Sequence, residues 1–107
     1  MLYKFKSKAT GDLIMLEPQG RRILGLIGKD AGAKGILMVD QMPAAIQALT
    51  DAVVQDEARH QAAVADANAR GEAPPPRPEV SLRQRAAPFI DMLRRAHAEE
   101  ADIVWGA

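Results

Sequence analysis

From Leu2 to Ser7, apolar and cationic residues alternate, with Tyr3 and Phe5 on one side and Lys4 and Lys6 on the other. That period of two belongs to a half-buried strand. The turn-forming KATGD follows, and the apolar run DLIML, Asp12 to Leu16, predicts a second strand and so an N-terminal hairpin. A helix start is the competing assignment for that run. Pro18 suits a first helical turn, and Ile23, Leu24 and Ile27 then recur at helical spacing, predicting about ten residues of helix that end at Gly28. Gly35 to Val39 reads as a brief apolar crossing segment. Asp40 is a good N-cap for a second helix, whose apolar face carries Ile46, Leu49 and Val53.

Alanine and straight-chain residues let that helix run on through AVVQDEARHQAAVADANAR, although Asp56 and Glu57 interrupt its stripe. Its far half is expected to protrude as an arm. Val64 falls on the same side as Ile46 and Leu49, and a third helix of about 18 residues is too short to cover it. GEAPPPRPE reads as a flexible, proline-rich linker over residues 71–80, with Gly71 ending the helix. Ser81 followed by Gln84 is a capping-box pattern that opens a third helix, with Leu82, Ala86, Phe89, Leu93 and Ala96 as its stripe and Pro88 on the opposite face. DIVW, Asp102 to Trp105, closes the chain as a strand. If the two long helices turn about the linker, residue 60 should face residues near 91. The pattern as a whole predicts one α+β domain spanning residues 1–107. Its small sheet, the N-terminal hairpin plus the C-terminal strand, packs against about three helices.

MLYKFKSKATGDLIML, ILGLIGK, DQMPAAIQAL, SLRQRAAPFIDMLRRA and DIVWG, in that order, resemble a family of small, mainly proteobacterial proteins known only as a domain of unknown function. The likeness covers nearly the whole chain except the linker. It implies a cytosolic bacterial protein and carries over no catalytic residue.

Composition narrows the function further. Within 107 residues, 14 basic side chains balance 14 acidic ones, so no long-range attraction to nucleic acid is expected. The absence of cysteine removes disulfides, thiolate catalysis and sulfur-ligated zinc. No apolar stretch is continuous enough for a signal or a membrane span, which makes a cytoplasmic protein the expectation.

GLIGKDAGAKGI, Gly25 to Ile36, is rich in glycine and lysine but fails as a phosphate loop. Its spacing is wrong, Asp30 adds negative charge, and it follows a helix C-terminus, whose dipole repels anions. Gly28 is better read as a helix-ending glycine. EARH, Glu57 to His60, has the Glu-x-x-His spacing of a di-metal bundle, but the only counterpart, HAEE from His97, runs in reverse order. No metal and no cofactor are expected. No serine or threonine has a nucleophile's context, so no catalytic residue is assigned and enzyme activity is disfavoured.

Four residues remain as binding candidates. Arg83 and Arg94 lie on one face of the third helix and could meet an anionic partner. His97 stands at the edge of the stripe, half buried or near the helix C-terminus. Trp105 is a stacking platform or, in the simpler reading, a core anchor. The expected function is a binding or structural module acting through protein contacts, self-associating as a homodimer through the second helix and the sheet edge, with no nucleic-acid or membrane partner. The alternative is a small enzyme or metabolite-binding protein whose site, between sheet and helices, would gather groups such as Lys4, Glu17, His97 and Trp105. A weaker third is regulatory nucleic-acid contact through the arginines of the third helix.

Overall fold

The computed structural model describes residues 2–30, 32, 34–76 and 80–106. The predicted hairpin forms from β1 (Leu2–Ser7) and β2 (Thr10–Leu16), paired antiparallel with Leu2 opposite Leu16 and Lys4 opposite Ile14. The strand assignment for DLIML therefore holds over a helix start. The chain then passes through α1 (Glu17–Leu26), the short strand β3 (Gly35–Leu37), a 3-10 turn at Val39–Gln41, α2 (Met42–Ala69), α3 (Leu82–Ala98) and β4 (Ile103–Trp105). The sheet is ordered β2-β1-β4-β3 and is antiparallel throughout.

The C-terminal strand joins β1 as expected, with Phe5 opposite Trp105. The crossing segment is a fourth strand, which the sequence pattern does not distinguish. Gly35 sits opposite Trp105 so closely that a Cβ there would overlap the indole ring. Three residues cannot display a period of two, and the strand exists because β4 offers it an edge.

One apolar cluster joins every layer. Tyr3, Phe5, Leu37, Ile103 and Trp105 from the sheet meet Ile23 and Leu24 of α1, Met42, Leu49 and Val53 of α2, and Phe89 and Leu93 of α3. Phe5 lies at its centre, with ring centroids 4.9 Å from Phe89 and 5.8 Å from Trp105. Gly20 brings α1 against Tyr3, where any Cβ would strike the ring. All three helices contribute to this one cluster, so they pack on a single face of the sheet.

The helix ends follow local rules, with one correction. Ser81 and Gln84 make the reciprocal capping box at 3.1 and 3.0 Å. Gly28 ends α1 in the left-handed region, with Lys29 N–H donating to the Leu24 carbonyl at 2.9 Å, and Gly71 ends α2 in the same way. α3 ends likewise, but its left-handed residue is Glu100, with φ 54°. Asp40 does not cap α2. It stays exposed inside the 3-10 turn, and the donors there are met by Gln41, which accepts from Met38 N–H at 2.9 Å, and by Asp102, which accepts from Val39 N–H at 3.2 Å. Val39 is thus served by a partner 63 positions away in sequence, and Pro43, three positions past Asp40, has no N–H for a cap to serve.

The α2/α3 pairing is also offset from the expected register. Arg83 grips Glu57 through two hydrogen bonds of 3.0 and 2.7 Å, so residue 57, and not one near 68, stands beside the start of α3. From Glu57 to Arg70 the helix runs on for about 20 Å, giving the arm that makes the molecule 52 Å long. Asp56, which interrupts the stripe, faces Arg22 of α1 at 3.7 Å. The two acids are thus tethers at the base of the arm. Residues 71–76 are exposed, and the remainder of the expected linker flexibility falls partly on residues 77–79, outside the described residues.

Candidate interaction surface

The alternation that builds the core also builds the opposite face of the sheet, and no helix covers that face. On β1 it presents Leu2, Lys4 and Lys6; on β2, Ile14 and Leu16; on β4, Val104; and on β3, Ile36, with Met38 continuing the alternation. Leu2 is 61 % exposed, Leu16 60 %, Ile14 56 %, Met38 45 % and Ile36 44 %, whereas their strand neighbours Tyr3, Phe5, Leu37 and Trp105 are at 8 % or less. Lys4 crosses to Asp12 at 3.5 Å.

These apolar residues form two groups at diagonal corners. Leu2, Ile14 and Leu16 stand where β1 begins and β2 ends. Ile36, Val104 and Met38 stand on the far two strands, from the level of Lys6 onward. Ile36 and Val104 of the second corner floor a hollow of about 780 Å³, walled by the hairpin turn at Ser7 to Ala9 and by the α3–β4 connection, and lined by the charged side chains of both signs that Lys6, Lys8, Asp12, Glu99, Glu100 and Asp102 bring to it.

The sequence-predicted site residues are elsewhere. Arg83 and Arg94 line a shallow groove of about 250 Å³ between α2 and α3, floored by Val53, Ala87 and Ile90. The Glu57 carboxylate raises the Arg83 pKa, first by its hydrogen bond and then by its charge. Arg95 pairs with Asp91 at 3.0 Å, and among the described residues Arg94 makes no ion pair. His97 is exposed in the last turn of α3, so the half-buried reading of it is corrected. A histidine one turn past Leu93 simply lies beyond the edge of the covered stripe. Trp105 is 2 % exposed, and its Nε1–H is buried without a hydrogen-bond partner among the described residues.

The groups that a site between sheet and helices would have to gather are held apart. Lys4 is on the outer face with Asp12, Glu17 binds Arg21 within α1, His97 faces outward on α3, and Trp105 is in the core. Among the described residues no group of three or more acidic or histidine side chains is placed to hold a metal ion. No helix of the described chain is long and apolar enough to cross a membrane.

A model of the family described as Domain of unknown function (DUF1840) matches residues 1–105. The chain belongs to this family. No curated protein and no solved structure matches it. Family membership therefore agrees with the resemblance carried by the five sequence segments and adds no assigned chemistry to the surfaces described above.

The outer face did leave a signal in the sequence. An antiparallel strand with one solvated face alternates, but Leu13 to Leu16 and Ile36 to Val39 are unbroken apolar runs. Such a run on an antiparallel strand marks a second face that is also apolar.

Proposed function

We propose that the protein is a binding or structural module that acts through protein contacts in the bacterial cytoplasm and self-associates as a homodimer, with the open sheet face as the contact. The observation that carries this reading is the exposure of Leu2, Ile14, Leu16, Ile36 and Met38 on one side of one sheet. Scattered apolar side chains need no explanation, but two groups on a single uncovered face are the mark of an interaction surface.

The arm supports the reading less well. Among residues 58–70 only His60, Val64 and Ala67 are not fully exposed, and they lie four and three apart on one side. Ala67 is 5 % exposed and Val64 is half-buried, so this side of the arm is already partly sheltered within the chain. Val64 therefore has less need of a second copy than the sheet does.

Size sets the strength of the contact. Four strands about 4.8 Å apart, of six, seven, three and three residues at about 3.3 Å each, span about 300 Å² in projection. A standard stable interface takes about 800 Å² per partner, so the face belongs to the weak, reversible class. Light scattering coupled to size exclusion, from about 10 µM to about 1 mM protein at physiological salt, tests the reading. The mass should climb from one chain toward two across that range, and a mass of one chain throughout would refute it.

A further inference from the structure

We infer that the second copy joins at the β2 border of the open face, where β2 of one chain pairs antiparallel with β2 of the other about a two-fold axis at Ile14, making one continuous sheet of the two. The inference rests on the self-association proposed above and places its seam.

The two edges of the sheet are unlike. β3 is three residues long, and a short edge strand offers little to a further strand. β2 is seven residues long, and among the described residues it pairs with β1 alone. Edge strands are normally blunted by lysine, proline or a bulge. From Leu13 to Leu16 β2 has neither lysine nor proline, and its pairing with β1 is regular there, since the register shift falls between Phe5 and Ser7 toward the turn. The core is also open along this edge. Tyr3 and Phe5 on β1 are buried, whereas Leu13 and Met15, which pack against the same cluster from β2, are only half-buried.

Self-pairing has one good register. Residues that face each other across an antiparallel pair point to the same side of the sheet. With the axis at Ile14, Ile14 faces its own copy, Leu13 faces Met15, and Asp12 falls beside Leu16. Apolar side chains then meet on both sides of the sheet, and the two Asp12 carboxylates stand roughly 14 Å apart at the strand spacing and rise. An axis at Leu13 instead sets Asp12 against Ile14 and Gly11 against Met15. An axis at Asp12 opposes the two carboxylates, and one at Met15 runs Leu13 into Glu17, which belongs to α1.

The inner side has room for the added strand. A groove of about 180 Å³ lies between β2 and α3, lined by Thr10 to Leu13 and by Pro88, Asp91, Met92 and Arg95. Its charged residues are already paired, Asp91 with Arg95 and Asp12 with Lys4, which favours an apolar occupant over an ionic one. Opposite Leu13, Met15 of the second copy turns toward this side, and a flexible thioether suits an irregular gap. The two-fold also closes the assembly. It occupies both β2 edges at once and leaves outward the three-residue β3 edges, so pairing does not run on into a fibre.

The chain contains no cysteine, so an introduced thiol reports without background. Ile14→Cys and, as a control, Ile36→Cys, both at exposed positions, are oxidised gently at a concentration where light scattering shows the parent dimeric. Facing residues of antiparallel strands have Cα atoms about 4.5–5.5 Å apart and a disulfide needs them within about 7 Å, whereas stacked sheets stand about 10 Å apart. Ile14→Cys is expected to link to itself in most of the protein, and Ile36→Cys in little of it. In the parent, amide exchange over residues 13–16 should slow at least about threefold from the monomeric to the dimeric concentration, with β3 unchanged. A dimer in which Ile14→Cys links no better than Ile36→Cys, or in which residues 13–16 exchange at the monomer's rate, would overturn the edge pairing and leave self-association standing. Monomer at every concentration would overturn both.

Discussion

The two faces of the sheet are made from alternate residues of the same strands, yet they contribute in opposite ways. On the inner face Tyr3, Phe5 and Trp105 form an aromatic row, closed from above by Phe89, Leu93 and Ile23. On the outer face Leu2, Ile14, Leu16, Ile36 and Met38 have comparable apolar character but no cover. Residue type alone therefore does not decide what a side chain does here. Inner-face side chains stabilise the folded chain, because they leave water when it folds. On the proposed self-association, outer-face side chains leave water only when a second chain arrives, so they should govern mass and leave stability almost untouched.

Trp105→Ala makes the largest cut on the inner side. The ring is buried between Phe5 and Gly35, and its loss should cost about 3–5 kcal/mol, read as a fall in the denaturation midpoint. The partnerless Nε1–H removes part of the ring's own advantage, so a loss near the lower end is expected. An unchanged midpoint would mean that the two faces do not divide the work in this way. Gly35→Ala probes the same contact from the other strand. The added methyl has to displace the indole, at about 1–3 kcal/mol, and hydrogen exchange should then quicken in β3 and β4.

A smaller change of opposite sign is expected at the hollow. Glu100→Gly removes the left-handed strain, worth about 1–2 kcal/mol, and gives back part of it as chain entropy. The net gain should be about 0.5–1 kcal/mol in urea denaturation, and a loss would show that the Glu100 side chain stabilises the fold. Smallest of all is Ile14→Glu. The new carboxylate would face Lys4 across the hairpin, so the midpoint should stay within about 0.5 kcal/mol of the parent.

How much of this could be read from the sequence depends on how local each cause is. The hairpin, the Ser81–Gln84 box, the Gly28 and Gly71 helix ends and the α3 stripe rest on neighbours within four positions, and each is legible. β3 was not, because Gly35 to Leu37 is a strand only by virtue of an edge offered by residues near the other end of the chain. Asp40 misled because the chain enters α2 through a 3-10 turn, and Pro43, three positions on, has no N–H for a cap to serve. Among the site candidates, the paired placement of Arg83 and Arg94 followed from helical spacing, but the clasp of Arg83 by Glu57 depends on the α2/α3 register, which a linker of unspecified path does not determine. The outer face was missed although Leu13 to Leu16 and Ile36 to Val39 are continuous apolar runs. Such runs predict strands and crossings from their inner side, and an outer side that is also apolar leaves that pattern unchanged.

The division between the two faces is tested most directly by comparing the mass of Ile14→Glu with that of Val64→Asp, at a concentration where the parent is dimeric by light scattering. Both changes are made outside the buried cluster, one on the open sheet and one on the arm. The account predicts that Ile14→Glu gives the mass of one chain with an unchanged denaturation midpoint, and that Val64→Asp remains a dimer. A dimer that survives Ile14→Glu and is split by Val64→Asp would contradict it and place the contact on the arm.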